Sequence, residues 1–136
     1  MSSNNDVLSL SVRQFAAATA DKTPTPGGGS VAGVVGALAV ALGEMALNFT
    51  KGKKKFAAHT DYYEGLSARL GRAHGMFLDL VADDISAYQL YLEASRTEDG
   101  PEKVEAVQIA LAAAVAVPRE MAKLSLATVL CRCWWQ

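Results

Sequence analysis

A chain of 136 residues, 51% hydrophobic and 20% charged, fits a single globular domain with one core. Its formal charge of -1 at pH 7 shows no basic excess, so nucleic acid is not an expected partner. Cys131 and Cys133 lack the companion Cys or His residues that a zinc site needs, so we expect free thiols and no metal site.

The N-terminal region is polar and contains no basic start followed by an apolar run. This composition argues against a secretory signal and favours a cytoplasmic protein. Ser11 is a suitable N-cap for a short helix that extends to about Ala20 and carries Val12 and Phe15 on one face.

Residues 23–30, with the sequence TPTPGGGS, form a loop that runs directly into an apolar helix. We call this segment the glycine loop. Proline restricts φ, while glycine lets the backbone approach a ligand closely. A helix N-terminus also offers free N–H donors and a partial positive charge. The loop therefore predicts an anion-binding site formed by Pro26, Gly27, Gly28, Gly29 and Ser30.

The helix after this loop is expected to start near Ser30 and to have two distinct faces. The larger residues lie on one face: Val31, Val34, Val35, Leu38, Leu42, Met45 and Phe49. The small residues lie on another: Ala32, Gly36, Ala39, Gly43 and Ala46. Tight packing of another helix of the same chain would explain the small face. The alternatives are that this face forms the floor of a pocket or the interface of a homodimer. If the chain is a dimer, an interface on this face is the simplest arrangement.

The uncharged stretch from Pro26 to Gly43 approaches the length of a membrane span, so a membrane helix is an open alternative. Its Ala, Gly and Val composition and the following Glu44 instead favour the buried centre of a soluble bundle. We therefore expect no membrane association.

A lysine run follows the far end of this helix. Such runs are usually solvated surface. The alternative is a site for an anionic ligand with several carboxylates, which ammonium groups can hold as point charges. The candidate binding residues are Lys51, Lys53, Lys54 and Lys55.

The third helix is predicted from about Asp61 to about Ser95, a rod of roughly 50 Å. Its apolar series places a carboxylate, Asp84, where an apolar residue is expected; the series is Leu66, Leu70, Ala73, Phe77 and Leu80. An acid there needs a hydrogen-bond or charge partner or serves general acid chemistry; the structural alternative is a carboxylate satisfied by a neighbouring helix terminus or lysine. Tyr88 follows one turn later as a second catalytic candidate, whereas Asp83, His59 and His74 are expected at the surface.

Pro101 is suited to the first position of a fourth helix, after a turn at residues 97–100. Pro118 should kink this helix or open a new one. The predicted apolar face consists of Val104, Val107, Leu111, Ala114 and Val115. Since no strand pattern competes, we expect an all-α helical bundle with a long central helix, assembled as a dimer.

Four motifs, in this order, resemble the formimidoyltransferase-cyclodeaminase and methenyltetrahydrofolate cyclohydrolase family. They are PTPGGGS at 24–30, Asn48-x-Thr50-x-Gly52-Lys53-Lys54-Lys55, Asp84 with Tyr88, and Val117-Pro118-x-Glu120, within a match from about Leu10 to Thr128. The resemblance implies a homodimeric, all-helical, cytoplasmic domain whose substrate is a tetrahydrofolate derivative, with no covalently bound cofactor.

The chemistry implied by this resemblance is either of two folate one-carbon reactions. In cyclodeamination, folate N10 attacks the formimino carbon on N5 and ammonia leaves; in the cyclohydrolase reaction, water opens the methenyl bridge. Both need a proton shuttle, a role that falls on Asp84. The glycine loop would contact the pterin or the glutamate carboxylate, and the lysine run would hold a polyglutamate tail.

Members of this family continue beyond the position where this chain ends. We therefore expect a single shortened domain over residues 1–130 and a divergent tail over 131–136, as a frameshift or early stop would produce. Ala82 and Ile85 also depart from the family pattern, which often has an acid and usually a small residue there. Whether the chain is an enzyme stays open; the alternatives are a non-catalytic folate- or anion-binding relative and a purely structural helical oligomer.

Overall fold

The computed structural model describes residues 6–130, which form four α-helices and two short 3-10 helices. The α-helices are α1 (Val12–Ala20), α2 (Gly28–Thr50), α3 (Thr60–Arg96) and α4 (Pro101–Val129), and the 3-10 helices span Val7–Ser9 and Lys54–His59. Within residues 6–130 there is no strand, so the all-α prediction is confirmed. The predictions for Cys131, Cys133 and the tail over 131–136 lie outside the described residues.

The first helix begins where the sequence predicts, because Ser11 and Gln14 form a capping box. The Ser11 hydroxyl accepts a hydrogen bond from the Gln14 amide at 3.3 Å, and Gln14 Oε1 accepts one from the Ser11 amide at 3.0 Å. Two backbone donors at the helix start are thereby satisfied.

The 37-residue helix α3 is the central element, with α2 and α4 both packed against it. The predicted apolar series is buried through Leu66, Leu70, Ala73 and Phe77, where it meets Ala37, Val40 and Leu47 of α2. One turn later the predicted residue, Leu80, is only half-buried, and its neighbour Val81 is fully buried instead. The long central helix and most of its inward face are therefore as predicted.

Small residues of α2 let the backbones of α2 and α3 approach closely. A Cβ at Gly33 would meet the Phe77 carbonyl oxygen at 3.1 Å, and one at Gly36 would overlap the Phe77 ring. Gly43 is also buried. Gly36 and Gly43 therefore pack against α3 of the same chain, which confirms the prediction of intramolecular packing at these two positions. A dimer interface cannot use them, because α3 already covers them.

Six of the larger residues of α2 lie on the side away from the buried Val40 and Leu47 and form what we call the outer stripe. Leu38 and Leu42 are each 60% exposed, and Phe49 is 69% exposed. The outer stripe consists of Val31, Val35, Leu38, Leu42, Met45 and Phe49. Within residues 6–130, α2 alone has the length and composition of a membrane-spanning helix, a test that core helices of soluble proteins also pass.

The predicted apolar face of α4 is largely wrong. Val104, Leu111 and Val115 are exposed, whereas Ala110 is fully buried and Met121 nearly so. Because α4 is rich in Ala and Val on several sides, the sequence offers more than one apolar face, and tertiary packing selects among them. Pro118 lies inside a continuous helix, so α4 neither ends nor restarts there.

Candidate functional site

The carboxylate of Asp84 meets the N-terminus of α2. Ser30 is fully buried, and its hydroxyl donates a hydrogen bond to Asp84 Oδ2 at 3.1 Å. Asp84 itself is half-buried on α3. The partner that the sequence required for this misplaced acid is therefore Ser30, which belongs to the glycine loop.

Gly29 is the residue that makes this contact possible. A Cβ at Gly29 would overlap the Asp84 carboxylate, whereas a Cβ at Gly28 would meet no atom within 4 Å. The first intrahelical hydrogen bond of α2 runs from the Val31 amide to the Gly27 carbonyl at 3.0 Å. The N–H groups of the three preceding residues have no intrahelical acceptor, so the carboxylate lies at the positive end of the helix dipole.

This arrangement changes the prediction for the glycine loop. The positive end of α2 already faces the carboxylate of Asp84, which is the helix-terminus alternative considered from the sequence. A second carboxylate at the loop would meet a like charge. The loop is therefore better suited to an uncharged group than to a second carboxylate.

A groove of about 570 Å³ runs along the other side of the loop. It is lined by Asp21, Thr25 and Pro26 before α2 and by Ser86 and Gln89 of α3. Ala82 and Ile85, the two positions that depart from the family pattern, also line it. The groove combines apolar and polar side chains, which is the usual composition of a small-molecule site.

Tyr88 lies one turn after Asp84 on α3 and is 37% exposed. The hydrogen bonds of the described residues do not join the two side chains. A role for Tyr88 at the reacting atoms stays a prediction.

The lysine run caps the opposite end of α2. Lys51 is the C-cap residue, and Gly52 follows with φ of 79°, a left-handed conformation that favours glycine. The ammonium group of Lys55 lies 4.6 Å from the centre of the Phe56 ring. All four lysines are exposed, and a groove of about 380 Å³ there includes Lys51, Lys53, Lys54, Phe56 and Tyr63. We call residues 51–55 the lysine loop.

Within one chain the structure does not bring the lysine loop to Asp84. Ser30 and Thr50 lie near opposite ends of α2, about 30 Å apart at the rise of an α-helix. The two groups of candidate residues are therefore two separate sites on a single chain.

The sequence reading missed a second polar contact between α2 and α3. His74 Nδ1 lies 2.9 Å from Glu44 Oε2, and His74 is half-buried rather than fully exposed. Glu44 is the one charged residue within α2, and that was the available signal. Elsewhere, a hydrogen bond from Lys103 at the start of α4 lowers the pKa of the exposed Asp99.

These features define a class: an all-helical domain with a carboxylate at a glycine-rich helix start and lysines at the far end of that helix. The family described as formiminotransferase-cyclodeaminase matches residues 11–132. The chain belongs to this family.

Similar proteins come from distant organisms. A solved formiminotetrahydrofolate cyclodeaminase from Thermotoga maritima superposes with a TM-score of 0.77 at 33% identity, covering 87% of this chain and 57% of its own. Formimidoyltransferase-cyclodeaminase of Dictyostelium discoideum is 33% identical over 88% of this chain and 22% of its own length. Methenyltetrahydrofolate cyclohydrolase of Methylorubrum extorquens is 30% identical over 79% of this chain and 54% of its own length.

Removing the Ser30 hydroxyl should weaken the contact between α2 and α3. We expect Ser30→Ala to lower the free energy of unfolding by about 1–3 kcal/mol, because the half-buried carboxylate of Asp84 loses its hydrogen-bond donor. Urea unfolding followed by circular dichroism measures this. Ser86→Ala, an exposed serine on α3, is the control and should change stability by less than about 0.5 kcal/mol; equal effects of the two substitutions would contradict the prediction.

Proposed function

We propose that this chain is a folate one-carbon enzyme domain that catalyses cyclodeamination of formiminotetrahydrofolate or hydrolysis of methenyltetrahydrofolate. One observation carries the proposal: the Asp84 carboxylate is fixed at the start of α2 by Ser30 and by the absence of a side chain at Gly29. A fixed, half-buried carboxylate beside free backbone donors has the geometry that proton transfer requires. Family membership supplies the substrate class.

In cyclodeamination, Asp84 accepts the proton of N10 as this nitrogen attacks the carbon of the protonated formimino group. The carboxyl group then returns the proton to the departing nitrogen, and ammonia leaves as the methenyl bridge closes. Cyclohydrolysis uses the same group on a water molecule: Asp84 takes one proton of the water as its oxygen attacks the bridge carbon and returns that proton to the ring nitrogen that departs. The remaining hydroxyl proton is released to solvent as the formyl C=O bond forms. The carboxylate of Asp84 can therefore transfer the protons that either reaction requires at the one-carbon unit.

The remaining parts of the ligand have natural places on this fold. The groove beside Pro26 accommodates the pterin, and the lysine loop holds the carboxylates of a glutamate or polyglutamate tail. The protein acts in the cytoplasm as a homodimer, without a covalently bound cofactor.

A folate-binding relative without turnover is the second candidate. The observation that favours it is that the Asp84 carboxylate already has a partner within the chain, the hydroxyl of Ser30, so its position can serve the packing of α2 on α3. The chain spans 54% of the cyclohydrolase and 57% of the solved cyclodeaminase that it resembles.

Ligand binding is tested by thermal shift. Triglutamyl tetrahydrofolate at a hundredfold excess over its Kd should stabilise the protein by about 2.7 kcal/mol, seen as a raised Tm. At the same concentration, the monoglutamate should raise the Tm by less, because it binds more weakly with fewer carboxylates for the lysine loop. The double variant Lys53→Ala, Lys54→Ala should lose most of the difference between the two ligands.

The matched control removes two positive charges elsewhere. Lys103→Ala with Lys123→Ala changes the net charge equally but leaves the lysine loop intact. Loss of the triglutamate preference in this control would show a general charge effect and contradict the tail-binding role. No shift with either ligand at millimolar concentration would favour a purely structural bundle.

A further inference from the structure

Two carboxylates give the groove beside Pro26 an acidic character. Asp6 and Asp21 both line it, and none of the described residues that line it is a lysine, an arginine or a histidine. The side chains of Ser86 and Gln89, which line it from α3, form no hydrogen bond with another described residue. The groove therefore favours an uncharged ligand that presents hydrogen-bond donors, and its volume of about 570 Å³ is in the range of ligand sites.

The two carboxylates differ in what they do for the fold. Asp6 is the N-cap of the first 3-10 helix, where its Oδ1 accepts a hydrogen bond from the Leu8 amide at 3.0 Å. Asp21 is instead the C-cap of α1. The C-terminal end of a helix carries a partial negative charge, so a carboxylate there is electrostatically unfavourable. Helix stability therefore explains Asp6 but does not explain the charge of Asp21.

One oxygen of Asp21 stays available to a ligand. Oδ1 accepts a hydrogen bond from the Lys22 amide at 2.8 Å, and no other described group forms a hydrogen bond or an ion pair with this carboxylate. The side chain is exposed where it lines the groove. Asparagine could accept the same bond from Lys22 without the unfavourable charge. A residue that breaks a local rule of stability in this way is typical of a functional site.

The pterin ring has an edge that matches this carboxylate. Its 2-amino group and its N3–H are adjacent donors that point in the same direction, and a carboxylate can accept both, as it does from the fork of an arginine. The neighbouring O4 of the pterin is an acceptor, for which Gln89 in the same groove offers an amide donor. The one-carbon unit at N5 lies on the other ring, so these contacts leave the reacting atoms free.

We propose that Asp21 is a substrate-binding residue that recognises the 2-amino and N3–H edge of the pterin. Val81 and Ile85 line the groove and belong to the turn of α3 that carries Asp84. A ring held by Asp21 therefore lies against the helical turn of the reacting carboxylate. The identity of the ligand rests on the proposed function, whereas the acidic groove and the unfavourable charge at the end of α1 do not.

Calorimetric titration with two ligands tests this contact without turnover. 5-Formyltetrahydrofolate has the complete pterin edge, whereas its 2-desamino-2-methyl analogue keeps both rings and the tail but lacks the 2-amino donors. Wild-type protein should bind the first ligand about tenfold to a hundredfold more tightly, because the analogue loses a hydrogen bond to a charged group. In Asp21→Asn this preference should fall below about threefold, since the residue and the ligand group interact directly.

Asp83→Asn is the matched control, because it removes the same charge from an exposed position of α3 that does not line the groove. This variant should keep the preference for the 2-amino ligand. Asp21→Asn should also keep or raise the Tm, because it removes a negative charge from the C-terminal end of α1. In steady-state kinetics it should raise KM and leave kcat within about threefold, as expected for a contact made equally in the ground state and the transition state.

The outcomes separate this assignment from the proposed function. Equal binding of the two ligands by wild type, an unchanged preference in Asp21→Asn, or an equal loss in Asp83→Asn would overturn the role of Asp21 and leave the proposed function standing. A lowered Tm in Asp21→Asn would show that the residue supports the fold and would also overturn its role. A wild type that binds neither ligand at millimolar concentration would overturn the proposed function and this assignment with it.

Discussion

Asp84→Asn is expected to lower kcat/KM for methenyl formation or hydrolysis by about 10²–10⁴-fold while the chain stays folded. Asparagine keeps the size of the side chain and an oxygen that can accept the Ser30 hydrogen bond, but it cannot shuttle a proton. The absorbance of the methenyl group follows both reactions, and circular dichroism monitors the fold.

Asp83→Asn is the matched control, because Asp83 is the adjacent exposed carboxylate on the same helix. It removes the same charge and should leave kcat/KM within about threefold of wild type, as expected for a surface change outside the reacting atoms. Equal losses in the two variants would indicate that local charge matters rather than proton transfer. Full activity in Asp84→Asn would refute the assigned role of Asp84.

Gly29→Ala is expected to lower the free energy of unfolding by about 1–3 kcal/mol, because its Cβ would overlap the Asp84 carboxylate and displace it from its hydrogen bond with Ser30. Activity should fall as well, since the carboxylate must leave its position beside Ser30. Urea unfolding and steady-state kinetics measure the two effects.

Gly28→Ala is the neighbouring control, since a Cβ there meets no atom within 4 Å. Alanine also favours the helix by up to about 1 kcal/mol relative to glycine, so this variant should be neutral or slightly stabilising. A double variant, Gly29→Ala with Asp84→Ala, adds a further check: removing the carboxylate should eliminate most of the cost of the added methyl group. If the cost persisted, the overlap with Asp84 would not be its cause.

The sequence predicted the helices and one side of the central helix well, for identifiable reasons. Ser11 and Gln14 carry their own capping geometry, and Pro101 suits only the first turn of a helix. The series from Leu66 to Phe77 sits on a helix whose other faces are polar, so its periodicity has a single interpretation. The acid that interrupts this series, Asp84, was therefore recognisable as unusual.

The sequence failed where more than one face of a helix is apolar. On α4 it selected Val104, Leu111 and Val115, which are exposed, and on α2 it left the small-residue face open between packing within the chain, a dimer seam and the floor of a pocket. Periodicity identifies an apolar face but cannot rank two of them. Packing ranks them, because glycine and alanine allow a closer approach than valine or leucine.

By itself, the sequence determined the class of fold, the positions of the helices and the residue types available for chemistry, since these depend on local propensity, capping and spacing along one chain. The tertiary structure alone decided that Ser30 and Gly29 are the residues that hold Asp84, 54 positions away from Ser30. It also placed the lysine loop at the opposite end of α2 from that carboxylate. Contacts between distant segments depend on which helix faces pack together, and that choice is made by the shape of the whole core.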